Sequence, residues 1–320
     1  MAEHVNKLKL TNKNSSKPLK GLAPLIDLPR DATVEDAKRM IARVSGVSDY
    51  NRIGLYDPIY IQTLKDRKAI VWDLPLVAKA RELVVKDLGP QVGWRTVYVI
   101  EYFGPILFHV LVPLLRPYIY QFPPFVYFVY KNTGETSMTH VQWLLCALFH
   151  LHFLKREYET VFVHKFSANT MPARNIVRNS AFYWLMAGLL CSLDIYAPGS
   201  LSSRNELGPF DYLGMALFVI GETCNWIVHK HLASLRKPGG TEKGIPNCIG
   251  SNLVTSPNYM FEVIAWLGVI LISRSWAVVL FICTGIIYMR SWSRGKERAL
   301  RKEFGDKYKK KRYTMLPGLI

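Results

Sequence analysis

The 320-residue chain is half hydrophobic, which is enough for a small soluble domain followed by several membrane-spanning segments. It carries 41 lysine and arginine residues against 24 acidic residues, giving a formal net charge of +17 at pH 7. Because the basic residues cluster between long apolar runs, the charge argues against a nucleic-acid partner and favours a membrane protein.

Residues 1–90 are predicted to form a cytosolic domain, because they are mixed and charged whereas long apolar runs recur only from Val97 onward. Thr33 is expected to cap a helix, with Asp36 completing an acidic variant of the capping box. The apolar face of that helix is predicted to consist of Ala37, Met40, Ile41 and Val44. Strands are predicted at residues 5–10, 22–28, 52–56, 69–72 and 82–86. This order resembles a ubiquitin-like β-grasp, acting either as a stabilising cap or as a docking surface.

Residues 91–320 are predicted to form a multi-pass α-helical membrane domain. With about 20 residues needed per crossing, six spans are predicted at residues 97–115, 139–154, 180–197, 211–230, 258–273 and 276–293. The connections after the second and fourth spans are rich in lysine and arginine, so the positive-inside rule places them and both termini in the cytosol. The equally basic residues 290–312 are expected to lie against anionic headgroups or to bind an anionic ligand.

Glu101 opens the first predicted span, within the sequence Glu-Tyr-Phe-Gly-Pro at residues 101–105. A carboxyl group is costly inside an apolar helix, and such groups usually mark functional sites. We therefore interpret Glu101 as a hydrogen-bond partner or acid in a reaction, with a helix-packing hydrogen bond as the alternative.

A polar stripe runs along the fourth predicted span. Glu222, Asn225 and His229 are spaced i, i+3 and i+7, which places them on one helix face that should meet protein or a cavity instead of lipid. The stripe leads into the basic turn at residues 235–239. Arg236 there has the geometry to hold a phosphate bidentately, although it also simply satisfies the positive-inside rule.

The fifth predicted span begins with Ser-Pro-Asn-Tyr-Met-Phe-Glu at residues 256–262. Ser256 suits a helix N-cap, and Asn258 and Glu262 would share a face at i,i+4. Tyr259 carries a phenolic proton suited to protonating a carbanion or enolate, although a lone tyrosine at a membrane interface is more often an aromatic anchor.

No metal site or Rossmann unit is predicted. His150 and His152, like His229 and His231, are two residues apart on a helix and point to nearly opposite faces. The sequence has no Gly-x-Gly-x-x-Gly after a strand and no Walker loop, so any nucleotide must bind in another way.

Taken together, these residues resemble the steroid 5α-reductase superfamily and, within it, the very-long-chain trans-2-enoyl-CoA reductases. The resemblance covers nearly the whole chain and is most specific from Asn225 onward. It is carried by the motifs at residues 101–105, 162–167, 170–175, 235–239, 256–262, 302–306 and 316–317.

The resemblance implies NADPH-dependent reduction of the 2,3 double bond of a very-long-chain trans-2-enoyl-CoA, the last step of fatty acid elongation. It also implies an endoplasmic reticulum membrane location and other elongation-cycle enzymes as candidate partners. The cofactor-binding residues are expected to be Asn225, His229, Arg236, Asn258, Glu262 and Lys296. The sequence departs from the superfamily pattern at two positions, because Phe153 and Leu300 stand where the superfamily carries tyrosines.

The catalytic residues are expected to be Tyr259 and Glu101. Hydride addition to the β carbon leaves charge on the thioester oxygen and the α carbon, so Tyr259 would donate a proton and Glu101 would hydrogen-bond near the carbonyl. The alternatives are a steroid or polyprenol enone reductase of the same superfamily, a membrane methyltransferase of the isoprenylcysteine type, and a non-catalytic scaffold displaying the N-terminal domain.

Overall fold

The computed structural model describes residues 6–130, 137–166, 170–236 and 244–319. The chain divides into two compact units. One consists of residues 1–94 and 166–175, and the other consists of residues 95–165 and 176–320.

The first unit is built on a four-stranded sheet in the order β2-β1-β4-β3. Strand β1 pairs parallel with β4, and the other two pairings are antiparallel. The strands are β1 (Asn6–Asn12), β2 (Leu25–Leu28), β3 (Ile53–Tyr56) and β4 (Glu82–Asp87). A separate antiparallel pair joins β5 (Gln91–Gly93) to β6 (Thr170–Pro172).

Helix α1 (Val34–Val44) packs on the first unit's apolar core, and its predicted cap is confirmed. Thr33 Oγ1 accepts from the Asp36 amide at 3.2 Å, and Asp36 Oδ2 accepts from the Thr33 amide at 3.0 Å. The predicted apolar face was wrong at one end, because Val44 is 53% exposed. The buried positions are Val34, Ala37, Lys38, Ile41 and Ala42. The buried face therefore begins one turn earlier than predicted.

The strand predicted at residues 69–72 is absent from the described first unit. Ala69 O accepts from the Val34 amide and the Val71 amide donates to Ala32 O, both at 2.9 Å, so this segment pairs with the turn before α1. A 3₁₀ turn at Val71–Asp73 follows, and Pro75 begins the short helix α2 (Pro75–Ala80). Because this segment pairs with a turn and Pro75 follows closely, the extended conformation ends before a strand can form.

Helices occupy all six apolar segments of the remaining chain. They are α3 (Trp94–Ile119), α4 (His140–Tyr158), α5 (Arg174–Ala181) continued by a π-helical stretch (Phe182–Leu190) and α6 (Cys191–Ile195), α7 (Pro209–Ser234), α8 (Pro257–Ser273) and α9 (Trp276–Phe304). Three of the described segments are long and apolar enough to cross a membrane, at Trp94–Ile119, Arg174–Ile195 and Trp276–Lys307. These three indicate a membrane protein, and the count of six spans stays a prediction.

Helices α7 and α8 run antiparallel in direct backbone contact at small residues. A Cβ placed on Gly221 would lie 2.5 Å from the backbone nitrogen of Ala265, and one on Gly214 would lie 2.6 Å from Gly268 O. Small residues allow this approach between helices. The contact matters for the site because Asn225 lies one turn beyond Gly221, and Glu262 lies just before Ala265.

Candidate active site

The last turns of α4 and the first residue after it present four polar residues on one face. His152, Lys155, Arg156 and Glu159 are spaced i, i+3, i+4 and i+7, and all four reach toward other helices. His152 Nδ1 lies 2.6 Å from Glu222 Oε1, and Lys155 Nζ lies 2.7 Å from Glu222 Oε2. The Glu222 carboxylate on α7 is therefore held from two directions by α4.

Lys155 also contacts the next polar residue along α7. Its Nζ donates to Asn225 Oδ1 at 2.7 Å. Asn225 Nδ2 in turn donates to Glu262 Oε2 at 3.1 Å and to the backbone oxygen of Asn258 at 2.9 Å. One buried amide thus joins α4, α7 and the first turns of α8, and this close contact depends on the glycine packing of α7 against α8.

Arg156 is the centre of a second polar cluster. Its Nη1 lies 2.6 Å from Glu159 Oε2 and 3.1 Å from His229 Nδ1, and its Nη2 donates to the Tyr102 hydroxyl at 3.0 Å. Glu159 is fully buried and begins a π-helical stretch, Glu159–Val163, that continues α4. Single-turn π segments inside helices occur frequently at functional sites.

The α8 motif meets α7 through Asn258 and Glu262, the two residues predicted to share a helix face. Glu262 accepts from Asn225 and also lies 3.4 Å from Trp266 Nε1. Ser256 occupies the N-cap position, but its hydroxyl makes no capping hydrogen bond, because its backbone is not in the extended conformation of a capping residue. The predicted side-chain cap at Ser256 was therefore wrong.

Of the buried side-chain oxygens that have no hydrogen-bond partner among the described residues, two belong to predicted site residues. One is Asn258 Oδ1, and the other is Glu101 Oε1. Glu101 is only 1% exposed, and Asn179 hydrogen-bonds to its carboxyl group. Buried polar atoms are nearly always paired in folded proteins, so each of these atoms is available to a ligand.

Tyr259 and Glu101 are not in direct contact, but both are close to Tyr98. Tyr98 interacts electrostatically with Glu101, and the Tyr259 hydroxyl interacts electrostatically with Tyr98 and Glu262. The Tyr259 ring packs against Trp292 of α9 with the ring centroids 6.4 Å apart. The two predicted catalytic residues therefore belong to one interior region that also includes the α8 network.

Aromatic rings surround this polar region. Tyr102 packs edge-on against Tyr183 at 5.2 Å and also contacts Phe153, which is fully buried. Trp266 contacts Phe153 from α8 and meets Phe281 of α9 edge-on at 4.9 Å. Such a ring of aromatic side chains excludes water from the polar groups, which strengthens their electrostatic interactions.

Two cations contact each other near the C-terminal end of α7, and a third interacts with one of them. Arg236 donates to the backbone oxygen of Lys165, and Lys165 Nζ donates to the backbone oxygen of Arg236 at 2.6 Å. Lys296 of α9 interacts electrostatically with Arg236. Within the described ranges none of the three forms an ion pair with a carboxylate, and neighbouring unneutralised cations favour binding of an anion such as phosphate.

One group of residues has the composition of a metal site. Ligand atoms of Glu159, His164 and His229 all lie within 4.8 Å of one another. However, the Arg156 guanidinium already contacts both Glu159 and His229 at 2.6 and 3.1 Å. Because a permanent cation lies against these ligand atoms, we assign no metal to them. This set differs from the histidine pairs considered in the sequence.

The sequence interpretation missed the residues that α4 contributes. Lys155 and Arg156 were interpreted only as basic residues of a cytosolic connection, and His152 only as half of a rejected metal pair. Their helical spacing with Glu159 is the same kind of signal that identified Glu222, Asn225 and His229 on α7. The informative residue was Glu159, an acidic residue at the end of an apolar run, since a carboxylate there requires a partner.

Comparison with known proteins points to one class of enzyme. A family described as "3-oxo-5-alpha-steroid 4-dehydrogenase" matches residues 169–320. A very-long-chain enoyl-CoA reductase of Dictyostelium discoideum is 34% identical over 293 residues, covering 90% of this chain and 92% of the relative. A Caenorhabditis elegans protein named "Probable very-long-chain enoyl-CoA reductase art-1" is 34% identical over 255 residues, with 78% and 79% coverage. A human "Trans-2,3-enoyl-CoA reductase-like" protein is 25% identical over 320 residues, with 94% and 81% coverage.

Proposed function

Because this chain belongs to the very-long-chain enoyl-CoA reductases of the steroid 5α-reductase superfamily, we propose that it uses NADPH for the last step of fatty acid elongation. Its reaction is reduction of the 2,3 double bond of a trans-2-enoyl-CoA, which makes it an oxidoreductase acting on a CH–CH bond. The observation that carries the proposed site is the hydrogen-bonded network of α4, α7 and α8. It leaves Asn258 Oδ1 buried and without a hydrogen-bond partner among the residues that the structure describes.

The chemistry of the available groups fits a nicotinamide dinucleotide phosphate. Asn258 Oδ1 is an acceptor without a partner among the described residues and is suited to the amide of a nicotinamide. Asn225 donates both to the backbone oxygen of Asn258 and to Glu262. Arg236 and Lys296, with Lys165 beside them, offer the phosphates three cations that have no carboxylate partner in the described part of the chain. His229 lies between these two groups along α7, so it borders the proposed cofactor site.

When bound, NADPH would supply the hydride that adds to the β carbon of the substrate. The chain's own residues position the substrate, exclude water and transfer the proton. Tyr259 donates its phenolic proton to the α carbon or to the enolate oxygen. Glu101, protonated in its buried setting, donates a hydrogen bond near the thioester oxygen where negative charge develops. Its free Oε1 is consistent with a partner that arrives only with substrate.

The membrane arrangement and the N-terminal domain belong to the same proposal. Residues 91–320 form a six-span catalytic domain in the endoplasmic reticulum membrane, with both termini in the cytosol, and residues 1–90 form a ubiquitin-like β-grasp domain. The parallel pairing of β1 with β4, flanked by two antiparallel pairings, supports the β-grasp assignment. The basic connections support the orientation. Membrane lipid and other elongation-cycle enzymes are the proposed partners.

The relatives named above favour this function over a methyltransferase or a scaffold, since their names describe enoyl-CoA reductases. A steroid or polyprenol enone reductase would share the cofactor site. Phe153 favours the acyl-CoA over the steroid, because a phenylalanine at that position cannot donate a proton to a ketone.

Ligand protection against thermal unfolding tests the cofactor assignment. A ligand that binds only the folded state raises the melting temperature. We expect NADPH to stabilise the full-length protein in detergent more than NADH does, and S-adenosylmethionine to have no effect. Equal stabilisation by NADPH and NADH would contradict binding of the 2′-phosphate, which only NADPH carries, by Arg236 and Lys296. Stabilisation by S-adenosylmethionine alone would favour the methyltransferase.

A further inference from the structure

A groove with a volume of about 590 Å³ runs along the C-terminal half of α9 and takes no part in the proposed reaction. It is lined by Ile287, Arg290, Arg294, Glu297, Arg298 and Thr314. The three arginines are spaced four residues apart, so they form one row on the helix, and all three are exposed. Across the described ranges none of them forms an ion pair.

The groove lies on a different face of α9 from the residues assigned to the reaction. At 100° per residue, Lys296 points roughly 200° away from Arg294. Trp292, which contacts the Tyr259 ring, is likewise roughly 200° from both Arg290 and Arg294. A ligand bound by the arginine row would therefore not contact Tyr259.

The opposite wall of the groove is fixed by the returning C-terminal segment. The Ser256 amide donates to Thr314 O at 3.0 Å, and the Thr314 hydroxyl lies 3.1 Å from the Ser293 hydroxyl. Glu297 is held by the Tyr308 and Thr255 hydroxyls, which donate to its Oε2 at 2.6 and 2.5 Å. The groove is thus largely preformed, which lowers the ordering cost of binding.

The charges of the groove select an anion that also carries a hydroxyl group. Three guanidinium groups against one carboxylate give a net positive lining, and guanidinium groups bind phosphate oxygens bidentately. Glu297 Oε1 is buried and has no hydrogen-bond partner among the described residues, so it is available to accept from a ligand hydroxyl.

The position of the groove along α9 indicates that the ligand is an amphiphile. Residues 276–289 contain no charged side chain, whereas Arg290 is the first of several basic residues. Ile287, at the apolar end of the groove, is 68% exposed. The groove therefore spans the point at which a membrane-crossing helix passes from the acyl region to the headgroup region.

We propose that this groove binds the headgroup of an anionic, hydroxyl-bearing phospholipid, with its phosphate on Arg290, Arg294 and Arg298. The other source of phosphate in the system is the CoA portion of the substrate. Exposed Ile287 beside Arg290 and the separation from Tyr259 favour the lipid. The proposal does not depend on the catalytic assignment, because its test measures lipid binding directly.

The test uses the full-length protein in phosphatidylcholine micelles titrated with short-chain phosphatidylinositol, with bound lipid counted by native mass spectrometry. The groove variant is Arg290→Gln/Arg294→Gln/Arg298→Gln. The matched control is Arg301→Gln/Lys302→Gln/Lys307→Gln, which removes the same charge from exposed positions at the same helix end. Melting temperatures verify that both variants fold.

We expect the groove variant to bind phosphatidylinositol at least about tenfold more weakly, with the control close to wild type. Equal weakening of binding in both variants would show that the lipid responds only to the overall positive charge, and this would overturn the proposal. Unchanged binding in the groove variant would also overturn it. A raised KM for enoyl-CoA in the groove variant, together with displacement of the lipid by free CoA, would assign the phosphate to the substrate and also overturn it.

Discussion

Lys155 Nζ lies 2.7 Å from Glu222 Oε2, and this buried ion pair ties the last turns of α4 to the middle of α7. The second oxygen of the same carboxylate lies 2.6 Å from His152 Nδ1. Removing one partner of a buried pair leaves a charge that water cannot solvate, whereas removing both avoids that cost. The pair therefore fixes the position of the α7 stripe that carries Asn225.

The Lys155–Glu222 pair predicts strong coupling between the two positions. Lys155→Met should lower the free energy of unfolding by about 3–5 kcal/mol, because it leaves the Glu222 carboxylate with His152 alone. Lys155→Met/Glu222→Gln should lose less than the sum of the two single variants. Unfolding in mixed micelles with increasing denaturing detergent measures these differences. Additive losses would show that the pair does not act as a unit.

The close contact of α7 and α8 predicts that one methyl group at Gly221 impairs the reaction. A Cβ there would lie 2.5 Å from the Ala265 backbone, so Gly221→Ala must push the two helices apart. Asn225 would then lose its 3.1 Å contact with Glu262, and we expect a higher KM for NADPH together with a lower kcat. Steady-state NADPH oxidation measures both constants.

Gly295→Ala on α9 is the matched control for that variant. A Cβ at Gly295 would meet no atom of the described residues within 4 Å outside the backbone of its own helix, so the activity of Gly295→Ala should equal that of wild type. Normal kinetics in Gly221→Ala would mean that the α7–α8 contact does not position the cofactor residues.

Lys296 is predicted to distinguish the two nicotinamide cofactors. It interacts electrostatically with Arg236, and both are assigned to phosphate binding. Lys296→Ala should raise the KM for NADPH by at least about tenfold, about 1.4 kcal/mol, and should change the KM for NADH little. Arg301→Ala, an exposed change on the same helix, should leave both constants as they are. A parallel rise for the two cofactors would contradict an assignment of Lys296 to the 2′-phosphate, the group that NADH lacks.

The burial of Lys38 predicts that removing its charge stabilises the first unit. It is only 7% exposed, and burial lowers its pKa from 10.5 to about 8. At pH 7 the folded state must keep this lysine charged against that burial, at a cost of about 3 kcal/mol. Lys38→Met keeps the length of the side chain without the charge. It should therefore strengthen hydrogen-exchange protection of α1 in the full-length protein.

The advantage of Lys38→Met has a defined pH window. Below pH 8 the lysine is protonated in both the folded and the unfolded states, and the whole cost applies. Between pH 8 and 10.5 the unfolded state binds more protons than the folded state, so the stability of the wild type rises toward that of the variant. Arg43→Met, at an exposed position of α1, should show no such trend. A constant difference across this range would contradict a buried charge at Lys38.

Local patterns in the sequence predicted those parts of the structure that depend on neighbouring residues. The Thr33 cap and the shared face of Glu222, Asn225 and His229 follow from helical spacing, and the structure confirms both. The predictions of a buried Val44 and of a strand at residues 69–72 were wrong, because tertiary contacts determine the structure at both places. Val44 lies past the last turn that meets the sheet, and residues 69–72 pair with the turn before α1.

The candidate site was only partly predictable for a related reason. In the sequence, Lys155 and Arg156 look like basic residues that only orient a helix in the membrane. Their contacts with α7 are visible only in the folded structure. The π-helical stretches that hold Glu159 and Tyr183 have no clear sequence signature. The unpaired Asn258 Oδ1 likewise emerges only from the packed structure, since pairing depends on every neighbour.

The most direct test of the proposed mechanism is NADPH oxidation by the full-length protein with a long-chain trans-2-enoyl-CoA, measured for wild type, Tyr259→Phe and the exposed control Tyr212→Phe. Loss of the proton donor should cut kcat by a factor corresponding to about 2.7–4 kcal/mol of barrier, while stabilisation by NADPH and the activity of the control stay at wild-type values. Near-normal turnover in Tyr259→Phe would contradict the assignment of Tyr259 as the proton donor.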